Sequence, residues 1–326
     1  MTTLNSPSSA LLLPRLPTKL FLLLVFSAVF FVSLFILPLV LSGDQEAYIK
    51  FHALIKNRSF QEAFVIYRQT LGASEPGYFL ISWLSGNLGF DRVLFTSLVN
   101  GLLALSFAQA ALKLRAMQTI VLLIVLTNFY FFALYTELER LKYAFMFAFF
   151  SFVNIRNRSA FLVFSALAIL SHFQVVLLYI AFSSVFISRS MIRLIFQYRL
   201  NVYFVFIVSF LVVLFSIFYE PMAKKVVFYY NGGSFLSIIK AVPFFVLSLV
   251  YARNFKKTSM IFLPLLIASF VLGGGRVNIL LYFSFLYFAL PYRGGANFGF
   301  VVTTLYFAIQ SARYFPNIFL HGRWYF

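Results

Sequence analysis

An all-α, polytopic integral membrane protein is the fold class this sequence predicts, and three observations predict it. Hydrophobic residues make up 62% of the chain and charged residues only 10%, where a soluble domain carries about 25% charged residues. Mean hydropathy is +0.94, which makes lipid the solvent. The apolar residues form long runs, not the alternating segments of about ten residues that build a membrane barrel, so helices must satisfy the backbone. There is no cysteine, which excludes disulfides, thiolate metal sites and cysteine nucleophiles.

The first element is the apolar run Leu20–Leu41, preceded by Arg15 and Lys19. It is too long for a secretory signal core and reads as a retained anchor behind a cytoplasmic tail, residues 1–19. The net charge of +18 does not point to nucleic acid, because the basic residues gather into no single face or arm. They punctuate the apolar runs at Lys113/Arg115, Arg156/Arg158, Arg189/Arg193/Arg199, Arg253/Lys256/Lys257 and Arg293, as expected of cytoplasmic loops beside lipid headgroups. With each cluster inside, every interval must hold an even number of crossings. Residues 116–155 split at Glu137-Leu138-Glu139-Arg140, residues 200–252 split at 219–234, and residues 258–292 split at Gly273–Arg276. Residues 160–188 read as a tight pair of short helices meeting near Ser171-His172, and Glu75–Phe90 as a helix that enters from outside without crossing. The result is a single membrane domain, residues 1–326, with about eleven crossings (ten to twelve), an inner N-terminus and an outer C-terminus. Outer loops at 43–74 and 219–234 are amphipathic and helical at the interface, with Tyr48, Phe51, Phe60, Phe64 and Tyr67 as candidate anchors. All eight carboxylates fall on the outer side in this map, so that is the side to search for chemistry.

Asp44 follows the first span directly and suits either a general base, a metal ligand or a solvated helix cap. Glu75-Pro76-Gly77-Tyr78 has the form of a helix start, yet it draws a carboxylate toward the membrane, where charge is costly and usually functional. Arg140 heads a short apolar helix; its guanidinium can grip a phosphate or pyrophosphate, or pair with Glu137 or Glu139. His172, beside Ser171 and Gln174, suits phosphate binding, proton transfer or a bond to a backbone carbonyl. Arg276 follows three glycines, a run that forms an anion-binding nest or a flexible turn. No Walker loop, zinc spacing or nucleophile elbow is present.

Taken in order, Gly43-Asp44 with Tyr48, Glu75-Pro76-Gly77-Tyr78, Arg140 and Ser171-His172 resemble the EpsG family of Wzy-like bacterial polysaccharide polymerases. The resemblance covers roughly the first 190 residues; it departs from the family pattern at Arg140-Leu141 and His172-Phe173-Gln174. It implies an inverting glycosyltransferase that joins undecaprenyl-diphosphate-linked repeat units on the outer face of the bacterial inner membrane. Arg140 and Arg276 would bind the diphosphate, and His172 would bind phosphate or relay a proton. Glu75 or Asp44 would activate the acceptor hydroxyl, with Tyr48 and Tyr78 in the substrate site. No metal and no cofactor is implied. The partners are the lipid-linked donor and acceptor and the bilayer, with a chain-length regulator and a flippase as further candidates. Two other readings stand beside it: a membrane glycosyltransferase drawing one sugar from a polyprenyl monophosphate, and a lipid-linked-glycan flippase.

Overall fold

The computed structural model describes residues 16–197, 235–252 and 254–322, together with scattered positions between 202 and 223. Among them every regular element is helical. Four helices are long and apolar enough to cross a bilayer: Thr18–Leu39, Arg92–Lys113, Val175–Ile195 and Phe255–Leu272. A bent pair, Gln118–Thr127 with Phe129–Thr136, makes a fifth if taken as one span. The first two, at 22 residues each, reach about 33 Å against a hydrocarbon core of ~30 Å. The chain is a helical membrane protein. Most of the second outer loop, with Lys224 and Lys225, lies outside the described residues, as does nearly all of the proposed N-terminal tail.

Helix α1 (Thr18–Ile36) packs against α5 (Arg92–Lys113). Small residues on α5 allow the close approach: a Cβ at Gly101 would sit 2.8 Å from the Phe26 ring. Asn100 ties the pair to a third helix, donating to Ser33 Oγ (3.0 Å) and to the Tyr135 carbonyl (3.1 Å). Between α1 and α5 the chain forms α2 (Asp44–Leu54), α3 (Phe60–Leu71) and α4 (Pro76–Asn87).

The segment 43–74, expected as an outer loop, is helical, as its amphipathic pattern predicts, but three of its five candidate anchors are buried. Tyr48, Phe51 and Tyr67 are at most 4% exposed. Gln45, Tyr48, His52 and Ile55 recur at helical spacing, so this stripe of α2 folds inward over the bundle. Helix α3 begins with a capping box, in which Ser59 and Glu62 satisfy each other's backbone N–H groups. Ser59→Ala should therefore lower stability by about 1 kcal/mol, read as a drop in thermal midpoint in detergent.

Helix α4 has Pro76 at its first position and Glu75 as its N-cap residue. Its 12 residues span only about 18 Å. Its start meets Arg140, and Arg92, just past its end, meets Glu139, so both of its ends lie at the same end of the bundle. The short helix expected over Glu75–Phe90 is present as Pro76–Asn87.

Helices α6 (Gln118–Thr127) and α7 (Phe129–Thr136) are bent by 54° at Asn128. Its side chain accepts from the Tyr130 N–H and donates to the Tyr282 hydroxyl, both at 2.9 Å. The sequence reading takes this run as unbroken; the side-chain cap replaces the helical bond that the break gives up. Helix α8 (Glu139–Val153) follows, then α9 (Arg158–Ser171) and α10 (Val175–Gln197). The pair expected over 160–188 is thus unequal. The helix after His172 has 23 residues and runs through Arg189 and Arg193, because long exposed arginines can carry their charge out from an apolar helix. The remaining elements are α11 (Phe235–Tyr251), α12 (Phe255–Leu272), α13 (Gly274–Ala289) and α14 (Phe298–His321), with α12 and α13 parting at Gly273.

Hydrogen bonds define the two ends of the bundle. At one end Lys113 donates to the Phe152 and Val153 carbonyls, Gln118 bonds Leu16, and Lys257 reaches the Tyr287 hydroxyl. At the other end the Leu41 N–H donates to the Gly322 carbonyl (2.7 Å), and the starts of α2, α4, α5 and α8 converge.

Candidate active site

Two buried carboxylates organise the second end. Glu75 is 0% exposed, a position no isolated charge tolerates. Among the groups that compensate it are four described ones. Arg140 Nη1 donates to Oε2 at 3.0 Å, the Tyr67 hydroxyl to the same oxygen at 3.3 Å, and the Ser74 N–H at 3.2 Å. His172 Nδ1 lies 3.1 Å from Oε1. The local sequence explains each placement. Pro76 starts α4 and puts Glu75 at its boundary. Arg140 stands in the first turn of α8, and His172 is the extended residue that ends α9.

Glu139 forms a second cluster directly beside the first. Arg92 Nη2 donates to its Oε1 at 2.8 Å and the Tyr78 hydroxyl to its Oε2 at 3.0 Å. His52 Nε2 lies 3.8 Å from Oε2, and Arg92 also bonds Gln45. Each carboxylate is thus held by one arginine, one histidine and one tyrosine. Successive residues on a helix point about 100° apart, so Glu139 and Arg140 reach different partners from one turn. The rings of Tyr48 and Tyr78 join the clusters edge to face, with centroids 5.9 Å apart.

Arg140, His172 and Tyr48 line a pocket completed by Leu138 and Leu141. Arg140 Nε donates to the Tyr48 hydroxyl at 3.4 Å. Burial raises the pKa of both Tyr48 and Tyr67 above the phenol's ordinary value, more than the nearby Arg140 lowers it, so both remain neutral hydroxyls. The pocket therefore presents a fixed cation, an imidazole and a hydroxyl between two leucines. Such a set can bind a phosphate and exchange a proton.

The structure brings together Glu75, Arg140, His172 and Tyr48, the core of the set read from the sequence. Tyr78 stands one layer behind, on Glu139. Asp44 opens α2 at the same end and adds its field at Tyr48. Arg276 lies in the first turn of α13, whose start belongs to this end of the bundle, and its side chain is outside what the structure describes. The alternative pairing of Arg140 with Glu137 or Glu139 is not what forms; Glu75 takes it. Sequence reasoning misses Arg92 and His52. His52 is four residues after Tyr48 on the inward stripe of α2, a spacing that gives it away; Arg92 carries no comparable signal. Among the described residues no group of three or more His, Asp or Glu side chains is placed to hold a metal ion.

Compared with known proteins, the chain matches no protein family, no curated relative and no solved structure.

Proposed function

We propose that this chain is an inverting glycosyltransferase that polymerises lipid-diphosphate-linked oligosaccharide repeats, as the resemblance to EpsG-type polymerases implies. One observation carries the reading. Arg140 and His172 approach the same buried carboxylate from different helices and line one pocket at one end of the bundle. The donor of such a reaction has a prenyl diphosphate as leaving group, held at headgroup level by its lipid tail. The acceptor hydroxyl oxygen attacks the anomeric carbon, the bond to the diphosphate oxygen breaks, and the hydroxyl proton passes to a base. A cation must meet the charge growing on the diphosphate, and Arg140 is the residue for that task. His172 binds phosphate or relays the proton. Glu75 is wholly buried behind them and positions both.

The same reading supplies about eleven crossings and places the site on the outer face of a bacterial inner membrane. Undecaprenyl-diphosphate glycans are then donor and acceptor.

The test is the glycan profile of a deletion strain complemented with Arg140→Ala or His172→Ala. Long chains should collapse to single repeats when the glycan signal is normalised to the variant protein present in the membrane. Unchanged chain lengths with both variants reject the assignment. Loss of single-sugar transfer on chelation, with sensitivity to Asp44→Asn but not Arg140→Ala, would point instead to a polyprenyl-monophosphate donor. Accumulation of repeats on the inner leaflet alone would point to a flippase.

A further inference from the structure

The end of the bundle opposite the pocket carries an unusual backbone. Arg115, in the α5–α6 turn, has φ 66°, and Arg293, in the short 3-10 segment Tyr292–Gly295, has φ 53°. Both are left-handed, a conformation that costs an L side chain energy and that glycine adopts freely. The two strained turns are in direct contact. The Met117 N–H donates to the Gly294 carbonyl at 2.9 Å, and a Cβ on Gly294 would stand 3.4 Å from the Arg115 carbonyl oxygen and 2.8 Å from Met117 Cγ. Both arginines are exposed, and the Arg293 guanidinium lies over the Tyr292 ring at 5.5 Å. Lys113 stands on the α8 carbonyls nearby.

Among the described residues no carboxylate answers this charge. The chain has eight acidic residues. Glu220 is outside the described residues, and the other seven lie at the pocket end. Strain at two adjoining arginines, where glycine or asparagine would sit without it, is a reason to look for a ligand. We infer that the Arg115–Arg293 junction is a binding site for the phosphate of an anionic phospholipid. Two guanidiniums suit a phosphodiester. The junction lies at a terminus of the membrane helices α5 and α6, at the depth where headgroups lie. Other cations at this end, such as Arg156 and Arg158, have ordinary backbone conformations. The inference does not depend on the glycosyltransferase reading.

The test uses the purified full chain in nanodiscs of phosphatidylcholine with a minority of phosphatidylglycerol, with retained lipid measured by native mass spectrometry. Arg115→Gly with Arg293→Gly should cut retained phosphatidylglycerol about tenfold, the loss of charge-assisted hydrogen bonds to the phosphate beyond the general attraction of basic residues for the surface. The same protein should be at least as heat-stable in neutral lipid, because the strain is gone. Arg156→Ala with Arg158→Ala removes equal charge and should leave retention near normal. Unchanged retention in the glycine protein, or an equal loss in the Arg156/Arg158 protein, overturns the site. Displacement of the lipid by inorganic phosphate would overturn the lipid assignment in favour of a free anion. Arg115→Asn with Arg293→Asn, also tolerated left-handed, repeats the test should glycine loosen the turns.

Discussion

Glu75→Ala should destabilise the protein by about 3–5 kcal/mol, the cost of leaving a buried charge without its partner. The carboxylate is 0% exposed and Arg140 is 12% exposed at its side chain. Removing the acid strands a guanidinium, an imidazole, the Tyr67 hydroxyl and the Ser74 N–H together. The loss should appear as a large fall in thermal midpoint and in monodisperse protein recovered in detergent. Arg140→Ala removes the carboxylate's fixed cation and should cost a comparable amount. The double variant separates pairing from desolvation. If the two form a true pair, Glu75→Ala with Arg140→Ala should be less destabilised than the sum of the single losses by about 1–3 kcal/mol. Strict additivity would mean that the contact contributes nothing. Polymer formation should vanish in all three, so the stability cycle is the readout that tests the geometry.

Gly77→Ala is the second large effect, and here two terms oppose each other. In an unstrained helix interior alanine is better than glycine by about 1 kcal/mol. The new Cβ, however, would lie 2.8 Å from Leu170 C, 2.9 Å from Leu170 O and 2.9 Å from Ser171 N. These are backbone atoms at the end of α9, which cannot rotate away. Overpacking of this kind costs about 1–3 kcal/mol or more, so the clash should win with a net loss of about 1–2 kcal/mol. The functional effect should be larger. Glu75 is two residues before Gly77, and His172 is next to Ser171, so relief of the clash pulls apart the 3.1 Å contact between them. Misplacing reacting groups by about 1 Å can cost 10²-fold in rate. Polymer length should fall well before the protein unfolds. A Gly77→Ala protein of normal stability and normal activity would show that α4 and α9 are not locked here. Gly86→Ala is the control, since its Cβ would meet only the Ile55 side chain at 3.3 Å.

Much of the architecture is legible in the order of residues. Hydropathy alone requires lipid and helices. The Glu75-Pro76 start of α4, the breaks at Glu137–Glu139 and Gly273, and the residue His172 between two apolar runs are all local signals, and the structure has a helix boundary at each. The charge pattern marks one end of the bundle as chemical and the other as basic. Other features carry no local mark. The 54° bend at Asn128 depends on Tyr282, far along the chain, to complete the asparagine's bonds. The inward stripe of α2 looks like a set of membrane anchors until the bundle beneath it is known.

From the sequence itself came the class of protein, the helix starts and a short inventory of groups able to handle phosphate. Tertiary structure alone decided which of them meet: Arg140 with Glu75 rather than with its neighbours Glu137 and Glu139, and Arg92 with Glu139 across a different helix. The physical reason is range. Apolar runs, prolines and caps act within a turn or two of the residue that carries them. A buried ion pair is chosen by which helices pack together, and in a membrane that choice follows from shape and small-residue contacts along the whole bundle.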